Sequence, residues 1–115
     1  MMHVTCNVKG REIRLKNPLM TAPGSFGNIL EYKDFVDLEK LGALIPNSML
    51  KEDGSPNLIN KFLMVPHGYL SSFGPNNMGV ATFIREVLPL LPEGSAPVII
   101  DIKARSIEEM AESVA

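Results

Sequence analysis

Apolar and polar positions alternate loosely over residues 2–16. Val4, Cys6 and Val8 share one parity, and Ile13 and Leu15 follow the Lys9-Gly10 step. Two short runs of period two around such a step predict a β-hairpin. Pro18 to Ala22 reads as a short buried strand, and it runs into an uncharged turn over residues 22–27 that holds Gly24 and Gly27. Residues 31–41 carry Tyr32, Phe35, Val36, Leu38 and Leu41 as a partly regular apolar stripe. They predict a helix, with Gly42 where a C-terminal cap belongs. Residues 43–50 form a second apolar run of strand length, which Pro46 and Asn47 should bring to a stop. Residues 51–61 are polar, with turn formers in the middle, and read as a surface excursion. Residues 62–65 predict a short strand.

The segment 66–79 holds three Gly, two Pro, two Ser and two Asn. A bare loop of this length in a compact domain tends to be functional. The strongest helix signal follows. Val80, Phe83, Ile84, Val87, Leu88 and Leu91 keep the i, i+3, i+4, i+7 spacing, and Pro89 should end or kink the helix. Residues 96–102 are a continuous apolar strand with one charge, Asp101. Ser106 and Glu109 form a capping box that opens a further helix. The order is therefore a hairpin, then β-α-β, an excursion, and α-β-α. Strands apolar on both faces that alternate with helices predict an α/β fold with a parallel sheet.

In such folds ligands sit at the C-terminal ends of the strands. This singles out the turn 22–27, Asn47-Ser48 and the loop 66–79. Taken alone, the turn also reads as a tight strand–helix connection, and Asn47-Ser48 as strand-end polarity. Asp101 is either a solvated strand end paired with Lys103 or Arg105, or a site residue. His67 reads as structural or exposed, and the seven Met as core.

Composition narrows the function classes. A chain of 115 residues suffices for one modest domain. Its formal charge of −2 argues against a nucleic-acid surface, which wants excess Lys and Arg on one face. No apolar run approaches the roughly 20 residues of a membrane span, and the N-terminus has no apolar stretch of signal-peptide length. Cys6 is alone, so no disulfide framework is expected and a reducing cytoplasm is the natural setting. His3 and His67 lie far apart without a neighbouring Cys, so no metal site is expected. Ala115 falls inside the helix that Ser106 opens. The expectation is that residues 1–115 are a single N-terminal fragment of a longer protein.

Four segments resemble the family 1 dihydroorotate dehydrogenases, most closely the type B-like members that partner with an iron–sulfur flavoprotein. They are IRLKNPLMTAPGSFG at 13–27 with EYKDFVDLEKLGAL at 31–44, Asn47-Ser48, GSPN at 54–57 with PHGYLSSFGPNNMGV at 66–80, and PVIIDI at 97–102 with SIEEMAE at 106–112. The resemblance covers about the first third of the family's barrel. It implies a partial TIM (β/α)8 barrel, made of the N-terminal hairpin and about three βα units. It also implies flavin mononucleotide (FMN) at the C-terminal mouth and oxidation of dihydroorotate to orotate in pyrimidine biosynthesis. The residues matching the flavin contacts are Ala22, Pro23, Gly24, Asn47, Ser48 and Asp101. Those matching the substrate contacts are Asn47, Ser71, Phe73, Gly74 and Pro75. The family's base is a cysteine on a later loop, which Cys6 does not match, so no catalytic residue is assigned in this chain. A homo-oligomer, an iron–sulfur flavoprotein electron-transfer subunit and NAD as acceptor by way of that subunit are also implied.

The sequence departs from the family at that mouth. The first turn is Ala22-Pro23-Gly24 where the family has Ala-Ser-Gly. Asn47 stands where the family has Lys, Ser71 where it has Asn, and Asp101 where it has Asn. The usual Arg is missing over residues 57–60. Asn47 carries no charge, so attraction for an anion and stabilisation of reduced flavin should weaken. A carboxylate at Asp101 opposes flavin reduction. A non-catalytic or decayed relative with a scaffold role, and a flavin oxidoreductase for another planar substrate, are the alternatives. Three strands of an eight-stranded barrel leave open edges and uncovered apolar faces. The 115 residues alone are therefore expected to form no active monomer.

Overall fold

The computed structural model describes residues 3–52, 54, 62–71 and 78–114. The chain opens with an antiparallel hairpin of β1 (Val4–Val8) and β2 (Arg11–Leu15), paired from Val4↔Leu15 to Val8↔Arg11. The connecting pair Lys9-Gly10 has φ of 47° and 78°. Two positive φ values are what a two-residue type I′ turn requires, and this turn matches the twist of the strands it joins. Leu15 is the buried end of the hairpin.

Three further segments run parallel to one another. Residues 19–21 meet 42–43 through the bridge Met20↔Ala43, with Gly42 N–H donating to Leu19 O at 2.7 Å. Residues 44–49 meet 97–103 through Leu44↔Val98 and Met49↔Ile102. Leu44 N–H donates to Pro97 O, Ile99 N–H to Leu44 O, and Met49 N–H to Asp101 O, each at 2.9 Å. The spatial order is thus first, second, third, with the second in the middle. The arrangement is α/β. No closed barrel is present among the described residues.

The middle segment is enclosed. Ala43, Leu44 and Met49 are fully buried, and so is Pro46. The main core lies beside it, where Leu44 and Met49 pack with Ile29, Leu38, Phe83, Val87 and Ala96. Helix α1 (Val80–Glu86) supplies Phe83, with Val87 just after its end. Val80 N–H donates to Leu50 O at 3.1 Å, which ties the start of α1 to the end of the middle segment. A 3-10 turn over Leu88–Leu90 carries Pro89 inside it, so the α-helix gives way just before the proline. Ile84 is 49% exposed and lies off the buried stripe that its spacing predicted. Helix α2 (Ile107–Val114) starts at the expected capping residue, with Glu109 N–H donating to Ser106 Oγ at 3.1 Å.

Several expectations are corrected. The helix expected over 31–41 is two 3-10 turns, Leu30–Tyr32 and Leu38–Lys40. Asp37 separates them with extended backbone (ψ 97°), and its carboxylate accepts from Glu39 N–H as a cap for the second turn. A residue that caps cannot also sit mid-helix. Gly42 is therefore no helix cap. A Cβ there would lie 2.0 Å from Asn17 O, so the glycine is required by close approach of two backbones. The strand at 18–22 is not buried: Leu19 is 65% and Met20 49% exposed, because among the described residues it is an edge with one neighbour. The middle segment does not stop at Pro46-Asn47. Pairing resumes at Met49, since a proline removes only its own N–H. Residues 66–79 are not all irregular. β3 (Phe62–Val65) and β4 (Gly68–Ser71) form a second antiparallel hairpin around Pro66-His67. Residues 72–77 of that loop, and 53 and 55–61 of the excursion, lie outside the described residues.

Candidate functional site

The C-terminal ends of the three parallel segments carry the candidate residues. The turn after the first segment is held locally by Ser25, whose N–H and Oγ both donate to Ala22 O, at 3.3 and 2.9 Å. Ala22, Pro23 and Gly24 are exposed. Gly24 has φ +88°, and a Cβ built on it meets nothing within 4 Å. Backbone is thus presented to open space, in a conformation that glycine adopts at little cost.

Two sets of bonds tie this turn to the middle segment. Thr21 Oγ1 donates to Ile45 O at 3.0 Å and accepts from Ile45 N–H at 2.6 Å. Asn47 Oδ1 accepts from Gly24 N–H at 2.8 Å, and Asn47 N–H donates to Gly27 O at 2.8 Å. The third segment joins through Ser48, which is buried and whose hydroxyl donates to Asp101 Oδ2. Asp101 therefore bonds Ser48, where the sequence suggested Lys103 or Arg105. Its alternative as a strand end paired with a cation is corrected by the parallel pairing, which brings Ser48 beside it.

Ala22, Pro23, Gly24, Asn47, Ser48 and Asp101 are thus gathered near the C-terminal ends of the parallel segments. Ser71 closes β4, its backbone opposite Phe62, on a separate hairpin. Phe73, Gly74 and Pro75 lie outside the described residues. Two residues escaped the sequence reading. Thr21 was one polar position in an apolar strand, which is a usable signal. Asn28 is the other. Its Oδ1 is buried with no partner among the described residues, and no pattern around it marks this out.

The family model for dihydroorotate dehydrogenase matches residues 4–115. The chain belongs to the dihydroorotate dehydrogenase family. It is 38% identical over 100 residues to the dihydroorotate dehydrogenase B (NAD(+)) catalytic subunit of Geotalea uraniireducens (strain Rf4), covering 87% of this chain and 33% of the relative. The protein of the same name from Alkaliphilus metalliredigens (strain QYMF) is 36% identical over 114 residues, 99% of this chain and 38% of the relative. That from Thermoanaerobacter sp. (strain X514) is 38% identical over 99 residues, 86% and 33%. The chain spans about a third of the length of the curated relatives it matches.

A flavin, the cofactor associated with this family, presents a flat ring system. The open space over Gly24 and the exposed backbone of residues 22–24 fit a flat ring lying against main chain. Among the described residues Asn47 Nδ2 has no partner and remains able to donate to a ring edge. The Gly24 N–H is not available, because Asn47 holds it. These residues fit a flat group, which exposed main chain and a neutral amide would hold.

A concavity of about 320 Å³ lies past the ends of the middle and third segments. Leu50, Lys51, Glu52, Gly54, Arg105, Glu109 and Glu112 line it. Lys51 Nζ contacts Glu112 Oε2 at 2.7 Å. This hydrogen bond and ion pair raise the Lys51 pKa and lower that of Glu112. Among the described residues no cluster of three or more His, Cys, Asp or Glu is arranged to hold a metal, and no helix is long and apolar enough to cross a membrane.

Proposed function

We propose that this chain is the N-terminal part of an FMN-dependent dihydroorotate dehydrogenase, as a portion of a longer chain or assembly. On this reading the three parallel segments are the first strands of a (β/α)8 barrel, and residues 1–115 are one fragment of it. The observation that supports it is the gathering of Gly24, Asn47, Ser48 and Asp101 at three adjacent strand ends. Ala22, Pro23, Gly24, Asn47, Ser48 and Asp101 would hold the flavin, Ser48 by way of its bond to Asp101. Asn47, Ser71, Phe73, Gly74 and Pro75 would hold the pyrimidine. When bound, FMN supplies the hydride-accepting ring for oxidation of dihydroorotate to orotate. The chain's own residues would position the two rings. The protein works in the cytoplasm as a homo-oligomer, and an iron–sulfur flavoprotein subunit passes its electrons to NAD.

One observation favours a second reading. Asn47 carries no charge and Asp101 adds a carboxylate, so this mouth is poorly matched to an anionic substrate. A flavin oxidoreductase for another planar, uncharged substrate, or a non-catalytic relative, fits that electrostatics. Anaerobic addition of dihydroorotate to the purified protein tests both. A yellow protein that bleaches supports the dehydrogenase. A yellow protein that does not respond supports another substrate, and a colourless one that takes up no added FMN supports the scaffold role.

A further inference from the structure

We infer that Asn47 is a positioning residue that clamps the glycine turn, and that this clamp is incompatible with a lysine at the same position. Only the consequence for flavin binding rests on the reading above, because the clamp itself rests on geometry.

The turn over residues 22–25 is exposed and contributes nothing to the core. Its internal bonds come from Ser25 to Ala22 O. Glycine at its apex is free to leave φ +88°, since it populates both signs of φ readily. Something outside the turn must hold that apex if it is to present a fixed surface. Asn47 makes that contact with two bonds of 2.8 Å: Oδ1 accepts the Gly24 N–H and its own N–H reaches Gly27 O. One residue of the middle segment thus grips the turn at two points three residues apart.

Asn47 is itself fixed from both sides. Pro46 before it is fully buried, and Ser48 after it is buried and bonded to Asp101. The clamp is therefore anchored in the most enclosed part of the sheet. Its chemistry is specific. Gly24 offers a donor, so position 47 must supply an acceptor. A lysine ammonium has three donors and no acceptor. Lysine there would bring charge to the mouth and free the Gly24 N–H, leaving only the backbone bond to Gly27 O. Asparagine holds the turn and leaves the mouth neutral. An ordered turn binds a flat group without first having to be immobilised.

Amide hydrogen exchange of the assembled, full protein is the direct test, with FMN titration followed by fluorescence as a second readout. In the wild type, Gly24 is exposed yet its amide should be protected. Asn47→Leu and Asn47→Lys should speed Gly24 exchange about tenfold, as expected for one lost hydrogen bond. Asn47→Asp keeps an acceptor and should stay within about twofold. Leu44 and Met49, whose amides bond the third segment, should keep their wild-type rates in all three. FMN affinity should fall about tenfold in Asn47→Leu. An unprotected Gly24 amide in the wild type overturns the clamp, and needs no variant to be seen. So does full protection in Asn47→Lys, or equal acceleration at Leu44 and Met49, which would mark a general loosening. Failure of the wild type to take up FMN overturns the flavin reading alone, and the Gly24 rates still decide the clamp.

Discussion

Gly42→Ala is the substitution whose effect the structure prescribes most closely. Gly42 is buried where the middle segment begins, against the first, and its N–H donates to Leu19 O at 2.7 Å. A Cβ would stand 2.0 Å from Asn17 O and 3.0 Å from both Asn17 C and Leu19 O. Carbon and oxygen in close, favourable contact sit about 3.3–3.6 Å apart, so main chain over 17–19 must retreat by about 1 Å or more. It cannot do so freely. Asn17 Nδ2 donates to Lys40 O at 2.8 Å, and Asn17 Oδ1 accepts from Leu19 N–H at 2.9 Å. The retreat breaks the Gly42–Leu19 bond and lengthens Thr21 N–H to Ala43 O, which already spans 3.4 Å. Overpacking costs about 1–3 kcal/mol and the lost bond about 0.5–1.5 kcal/mol. The stiffer unfolded chain returns about 0.4–1 kcal/mol. A net loss of about 2–3 kcal/mol is expected in urea unfolding of the assembled protein followed by circular dichroism. Gly24→Ala is the internal comparison. No atom lies near its Cβ, so only the left-handed φ opposes it, at about 1 kcal/mol. A Gly42→Ala protein within about 0.5 kcal/mol of wild type, or less affected than Gly24→Ala, refutes the reasoning.

Three other outcomes are expected. Phe83→Ala empties the centre of the core beside Leu44 and Met49 and should cost about 3–5 kcal/mol in the same assay. Ser48→Ala removes the hydroxyl that donates to Asp101. It should cost about 1–2 kcal/mol, because the carboxylate is half-buried and can turn only partly to water. Glu112 should titrate below its ordinary 4.5, held down by the Lys51 hydrogen bond and charge. Because its folded pKa is depressed, its stabilisation is present above 4.5 and fades as pH falls through the lower folded value. Lys51, raised above 10.5, supplies the alkaline counterpart. Its stabilisation is complete below 10.5 and fades as pH rises through the higher folded value. Carboxyl NMR across the acid range checks the first arm, and Lys51→Met should move the Glu112 midpoint upward.

How legible the fold was depended on how local its causes are. Lys9-Gly10 announced a hairpin because a two-residue turn with positive φ needs only its own residues. Ser106 announced α2 for the same reason, since the cap closes within one helical turn. The stretch 31–41 misled because its apolar spacing is compatible with a helix, while Asp37 has a cap to make two residues on. Exposure was harder still. Met20 and Leu19 read as core because they are apolar and consecutive. Their burial is decided by what lies on the far side of an edge strand, and nothing within 18–22 records that. Gly42 was noticed for the wrong purpose. A glycine after an apolar stripe suggests a cap, whereas its actual constraint is Asn17, distant in sequence and supplied by the parallel pairing.

The site shows the same division at the level of single atoms. That Asn47, Ser48 and Asp101 lie toward the C-terminal ends of apolar runs was legible, although pairing continues past them at Met49 and Ile102. Which polar atom answers which did not follow. Ser48 and Asp101 are 53 positions apart, and their bond exists because Met49 and Ile102 are in register. Asn47 and Gly24 meet because Thr21 and Ile45 set the spacing of the first two segments. A residue's capacity to donate or accept is written in its identity, but its partner is written in the register of strands. At position 47 this difference changes the chemical conclusion. From the sequence, asparagine in place of lysine is a loss of charge. In the folded chain it is an acceptor matched to an exposed glycine amide, and restoring the charge would remove that match.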